Sequence, residues 1–367
     1  TSIQFTGAVP ATTFNWVRDN PGVTGTIGNS GSGNISGNLV NNTSNPITVI
    51  FTITPTASGC PGTPIIAEVL VYPKPIAIPA PLSQTICSGN SIVPIDFSSD
   101  VSGASFNWVR DNPAVTGTIA NSGSGNISGT LINSTPNPVL VTFTITAAAN
   151  GCPGTAVTAT VLVNPSPVAV ASPGSQAICN GDNIAPIVLS SLTSGTTYTW
   201  TRDNPAITGT IANAGTGDIS GTLINSSNAP VTVTFTIIAS ANGCPGSQAF
   251  ATVLVNPTAD AFASPGSQSV CSGLPITTIA LTGNTFGTVY NWVRNNTGTI
   301  TGMANSGSGN ISGVLNNTTN ADITVTFTVT PFINGCPGTA TTATVLVKPT
   351  PVVAALPVTQ TVCNNTL

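Results

Sequence analysis

Histidine is absent from this sequence, methionine occurs once, and Lys and Arg together number six in 367 residues. Without His there is no Ser-His-Asp or Cys-His catalytic set and no His-containing zinc site. Ten carboxylates against six cations leave a net charge of −4, and four Arg with two Lys cannot build a basic patch. Nucleic-acid binding by phosphate neutralisation is therefore close to excluded. No apolar run approaches the roughly 18 residues of a membrane span, and the helix formers Glu, Lys, Arg and Met are nearly missing. Scarcity of charge accompanies disorder only when hydrophobicity is also low. Here 40% of residues are hydrophobic and the mean hydropathy is +0.33, so there is material for cores. The polar remainder is Thr, Ser, Asn and Gly, residues of β-strands and turns.

What is present is periodic. Trp16, Trp108, Trp200 and Trp292 lie 92 residues apart. Cys60, Cys87, Cys152, Cys179, Cys244, Cys271, Cys336 and Cys363 alternate in spacings of 27 and 65, which together restore 92. No insertion breaks the register, as expected for a stack of like repeats with like contacts. The boundaries are set at 1–72 for repeat one (lacking its N-terminal strand), 73–164, 165–256 and 257–348 for repeats two to four, and 349–367 for the start of a fifth. The chain opens TSIQFTGAVP, with no Met or charged start, and both ends cut through a repeat. The expectation is an internal piece of a longer chain.

Within repeat two, PKPIAIPAP (73–81) reads as an extended linker or edge strand. Strands are expected at 91–97, at 105–110 with Phe106 and Trp108 on one face, and at 126–132 after the turn NSGSG. VLVTFTIT (139–146) and AVTATVLV (156–163) alternate apolar and polar without a break and flank the hairpin loop NGCPG. Six or seven short strands with a Trp on an early-middle strand point to an all-β fold of tandem immunoglobulin-like sandwiches in an elongated array, with no sustained helix. The four tryptophans, with Val49, Phe51, Ile53 and their equivalents, are the expected core.

No constellation for chemistry emerges. A glycosidase needs two facing carboxylates, but only Asp19, Asp111 and Asp203 recur, and the fourth repeat has Asn295 there. No DxDxDG-like calcium loop exists; a weak site of Asp and backbone carbonyls stays open. GSGNISG lacks the helix and the Lys of a phosphate loop, so it reads as a turn. Arg18, Arg110, Arg202 and Arg294 follow the Trp by two residues and share its face. They are read as lying along the indole or pairing with the neighbouring Asp, capping the core. No catalytic residue, metal or cofactor is expected, and the chain is read as no enzyme.

The string QTICSGN, a Trp strand, NSGSGNISGTLIN, VTFTIT followed by NGCPG, and a closing TVLVNP together resemble the PKD-like repeats of Bacteroidetes surface proteins. Such repeats recur in giant adhesins linked to gliding motility and type IX secretion. The resemblance implies an extracellular, outer-membrane-associated location and a stalk or fibre spacing an adhesive tip from the cell. It implies no catalytic residue. The partners expected are neighbouring repeats, with a surface polysaccharide or another cell-surface protein as further candidates, and with no nucleic acid and no membrane insertion. A glycan-binding module and an accessory stalk of a secreted hydrolase are the competing readings.

Regular cysteine pairs in a secreted-looking chain read as disulfides. Two pairings are weighed. Within a repeat, Cys87–Cys152, Cys179–Cys244 and Cys271–Cys336 leave Cys60 and Cys363 over. Across the linker, Cys60–Cys87, Cys152–Cys179, Cys244–Cys271 and Cys336–Cys363 leave none. Loop entropy separates them by only about 0.8 kcal/mol. The within-repeat pairing is preferred if Cys87 marks the pole where the chain enters; it fails if Cys87 ends a long first strand.

Overall fold

The computed structural model describes residues 1–354 together with 359 and 361. Among the described residues every regular element is a strand. The second repeat shows the plan. Its main sheet runs, in spatial order, through a leading strand Ser83–Cys87, a closing strand Val157–Asn164, a long strand Val139–Ala149, the tryptophan strand Ser105–Arg110 and a short strand Ser122–Ser124. A smaller layer pairs Ala77–Ala80 with Asp96–Ser99 and Thr116–Gly117 with Leu131–Ile132. The third and fourth repeats share this sheet order.

The alternation seen in the sequence becomes the two faces of the long strand. Val141, Phe143, Ile145 and Ala147 are fully buried, while the threonines between them are half-exposed. The long and closing strands pair antiparallel from Val139↔Val163 to Ile145↔Val157. The hairpin then continues to Ala149↔Cys152, through Asn150 and Gly151, whose φ values of 50° and 75° are left-handed. That Asn-Gly pair suits a tight hairpin turn.

Two expected strands shrink. Pairing over 91–97 consists of isolated bridges at Ser91 and Ile95 before the ladder begins at Asp96, because Pro94 has no N–H to give. Over 126–132 only Leu131–Ile132 forms a ladder, with bridges at Ile127 and Thr130. The segment PKPIAIPAP is an edge strand through Ala77–Ala80. One strand went unread: Ser83–Cys87 lies parallel to the closing strand, Ser83 beside Thr160 and Cys87 beside Asn164.

Each repeat has its own core. Phe51, Phe143, Phe235 and Phe327 are fully buried, and each meets the Trp of its repeat edge-on, with ring centroids 5.6–5.7 Å apart. Contacts divide the chain into two compact units. One holds Thr1–Pro167 with Leu192–Thr196 and Ser240–Gly246; the other holds Val168–Ser191, Thr197–Ala239 and the described residues from Ser247 on.

Candidate functional site: a disulfide joint between repeats

The leading strand is pinned at both ends. Gln84 clamps the backbone of Val93, donating from Nε2 to the carbonyl (2.9 Å) and accepting at Oε1 from the N–H (2.8 Å). Beyond Cys87, Ser88 N–H donates to the Asn164 carbonyl at 2.8 Å. Buried Asn133 closes this pole by donating to the carbonyls of Val163 (2.9 Å) and Asn137 (2.8 Å). Cys87 therefore stands where the closing strand leaves the repeat.

That position decides the disulfides and corrects the preferred pairing. Cys152 sits at the hairpin tip, at the opposite end of the sheet from Cys87. The long strand of 11 residues, Val139–Ala149, separates the two poles by roughly 33 Å at about 3.3 Å per residue, far beyond the reach of a bridge. The bonds formed are Cys87–Cys244 and Cys179–Cys336, each spanning 157 residues. Each joins the leading strand of one repeat to the hairpin tip of the next. Neither the within-repeat set nor the cross-linker set occurs; 157 is one period of 92 plus the 65-residue spacing, a third register in the same cysteine pattern. Cys60, Cys152 and Cys271 carry free thiols, so they are not the bridged residues the sequence suggested. Cys363 lies outside the described residues.

Asparagines dress the bridges. Asn164 Nδ2 donates to the Asn242 carbonyl at 3.3 Å beside Cys244. Next to Cys336, Asn334 Nδ2 donates to Asn256 Oδ1 (2.8 Å) and Asn256 Nδ2 to the Ile178 carbonyl (3.2 Å). Cys244 and Cys336 are buried. The last Gly of the NGCPG motif is sterically required: a Cβ on Gly154 would collide with the Pro75 carbonyl oxygen, and one on Gly338 with that of Ala259. Gly154→Ala is therefore expected to destabilise the second repeat by about 1–3 kcal/mol, the range for forced overpacking. Chemical denaturation checks it, with Gly174→Ala, whose Cβ would meet only the Ala171 carbonyl at 3.8 Å, as the silent control.

The linker is held to the sheet by one carboxylate per joint, placed on either side of the same contact. Asp100 Oδ1 accepts from Ile76 N–H at 2.8 Å, whereas in the fourth repeat Asp260 Oδ1 accepts from Asn284 N–H at 2.8 Å. The Ile76 N–H holds the Asp100 carboxyl below its usual range. Burial pushes the Asp260 carboxyl up, but the Asn284 and Thr285 donors outweigh it and the net shift is downward.

Trp108 is buried beneath Gly123, where a Cβ would lie 2.5 Å from the ring, and its Nε1 donates to the Gly125 carbonyl at 3.0 Å. Trp200 repeats that bond at 3.1 Å, whereas the Nε1 atoms of Trp16 and Trp292 are buried without a partner. The arginines do not cap the indole or pair with the neighbouring Asp as expected. Arg110 donates to the carbonyls of Ala120 (3.0 Å), Asn112 (3.1 Å) and Val115 (2.8 Å), stapling the loop that follows its strand. Burial lowers its pKa, opposed by nearby Asp111. Asp111 itself accepts from Thr142 N–H at 2.7 Å. Among the described residues no group of three His, Cys, Asp or Glu side chains could hold a metal ion.

The fold and its bridges define a tandem array of β-sandwich repeats linked covalently from each repeat to the next. The chain belongs to the PKD-like domain family, which it matches four times, at residues 2–75, 84–167, 176–259 and 268–351. None of the curated proteins matches it. Among solved structures it is similar to mouse cadherin-23 EC22-24, at 14% identity over 76% of this chain and 99% of that one, with a TM-score of 0.37. The human desmocollin-1 ectodomain is similar at 11% identity over 95% of this chain and 76% of that one, with a TM-score of 0.30. Sidekick-1 immunoglobulin domains 1–5 match at 13% identity over 95% and 76%, with a TM-score of 0.28. With TM-scores this low, none of the three says anything about what this chain binds.

Proposed function

We propose that the chain is a non-catalytic spacer, a covalently braced stalk segment of a large secreted surface protein that holds an adhesive part away from the cell. The observation that carries this reading is the bridge register. The segments from Cys87 to Cys179, from Cys179 to Cys244 and from Cys244 to Cys336 all run between the same two disulfides, so three covalent paths stand in parallel. A load along the chain is shared among them. The recurring Arg, Asp and Trp side chains are spent on stapling loops and filling cores, which leaves no cleft of facing functional groups. Disulfides persist in oxidising compartments, which supports an extracellular place. The sequence resemblance supports a role in surface attachment or gliding, with export by type IX secretion. Small-angle scattering tests the spacer: it requires a radius of gyration well above the roughly 21 Å of a compact globule of this length. A globular radius, or binding of the isolated chain on a glycan array, would favour a binding module instead.

A further inference from the structure

Three repeats carry a leading strand, and the first does not. In repeats two to four the closing strand is paired on both sides, and its N–H groups at Thr160, Thr252 and Thr344 donate outward to the carbonyls of Leu82, Gly174 and Gly266. In the first repeat the closing strand Ile65–Val71 pairs only with the long strand Ile47–Ala57 among the described residues. The residue equivalent to Thr160 is Glu68, the only Glu in the chain. Ala67, Val69 and Val71 are half-buried, whereas their equivalents Ala159, Val161 and Val163 are fully buried. A cleft of about 650 Å³ lies at the exit end of this strand, lined by Asn41, Val69, Val71, Tyr72, Gly151 and the free thiol of Cys152. In the other repeats the residue after the leading-strand cysteine accepts from a backbone N–H, as Ser88 does from Asn133 (3.0 Å) and Asn180 from Asn225 (2.8 Å). Asn41, the equivalent of Asn133 and Asn225, has no such partner among the described residues.

We propose that this edge accepts residues 358–363 (VTQTVC) of a second copy of the chain as a parallel strand, joining copies head to tail. The segment matches 82–87 (LSQTIC) in its Gln, second Thr and Cys, and it is apolar where Leu82 and Ile86 are apolar. Gln360 stands where Gln84 clamps the residue equivalent to Thr1. Val362 stands where Ile86 packs on the core. Cys363 stands where Cys87 forms its bridge, and Asn364 matches Asn180. Strand addition to an open edge draws its affinity from main-chain hydrogen bonds and its specificity from such alternate side chains. The bridge register then accounts for every remaining cysteine. Continued across the two copies, the 157-residue step pairs Cys363 with Cys152 of the second copy and Cys271 with Cys60 of the second copy. Cys60 and Cys271 are exposed and free for it. Each bridge forms by thiol–disulfide exchange: a small disulfide oxidant takes up two electrons and both thiol protons and leaves as two thiols. This inference rests on the bridge register and stands whether or not the array serves as a stalk.

The test is oxidation of the full chain in a glutathione redox buffer, read by light scattering and by non-reducing peptide mapping. The expected result is a ladder of oligomers containing the 152–363 and 60–271 cross-linked peptides and no comparable amount of 60–363 or 152–271. Glu68→Pro removes the outward N–H and leaves the pairing with the long strand in place; it is expected to lower the yield of the 152–363 peptide about tenfold, the worth of one edge hydrogen bond. A synthetic peptide of residues 357–364, offered to the Cys363→Ser chain, is expected to cross-link at Cys152 in preference to Cys60 and Cys271. Monomers with four reactive thiols after oxidation, scrambled pairings in equal yield, or a peptide that reacts equally with all three cysteines would overturn the proposal.

Discussion

Breaking both disulfides is expected to lengthen the stretched, unfolded chain by roughly 600–660 Å, at about 3.3–3.6 Å per residue. With the bridges reduced, all of the chain from Cys87 to Cys336 extends. With them intact, the shortest covalent path runs through both bridges and only the segment from Cys179 to Cys244, so the two segments Cys87 to Cys179 and Cys244 to Cys336 are held back. Each of those segments is one 92-residue period. Single-molecule pulling with and without reductant, after alkylation of the free thiols, measures the difference. The overlap of the two loops gives a sharper signature. Removing one bridge alone, with Cys87→Ser and Cys244→Ser, leaves the other still closing its own 157-residue loop. That variant should release only the difference between a full period and the segment from Cys179 to Cys244, a gain of roughly 90–100 Å. Bridges that acted independently within repeats would instead add their releases in equal steps, each of roughly 210–230 Å. Equal steps would refute the register, and with it the parallel-path account of how the chain bears load.

Trp108→Ala is expected to destabilise the second repeat by about 3–5 kcal/mol. The indole is buried between Phe143, whose ring centroid lies 5.7 Å away, and the backbone of Gly123. With no side chain on Gly123, nothing on that side can collapse into the space left. At about 4–8 °C per kcal/mol for a domain of this size, one calorimetric transition should fall by well over ten degrees. The other repeats have separate cores and should move little; joint melting of all four would rule out independent cores. Trp16→Phe should cost less than Trp108→Phe, because Trp16 Nε1 is buried without a partner whereas Trp108 Nε1 bonds to Gly125.

The all-β class, the four-fold period, the core faces and the hairpin around NGCPG were legible from residue order alone. The reason is that each is a local property. Alternation at period two assigns the faces of Val139–Ala149, Asn-Gly fixes the turn, and an unbroken 92-residue spacing fixes the number of repeats. The arginine staple was half legible: the shared face with Trp could be read, but the carbonyls of Ala120 and Val115 come from a loop whose path the residues do not announce. The disulfides were not legible. Their spacings admit three regular registers, and loop entropy hardly separates them because it grows only with the logarithm of length. What decided among them is the parallel pairing of Ser83–Cys87 with the closing strand. That non-local contact carries Cys87 to the pole where its own repeat ends and sets it against the hairpin of the next, so the bridge spans a joint instead of closing a core.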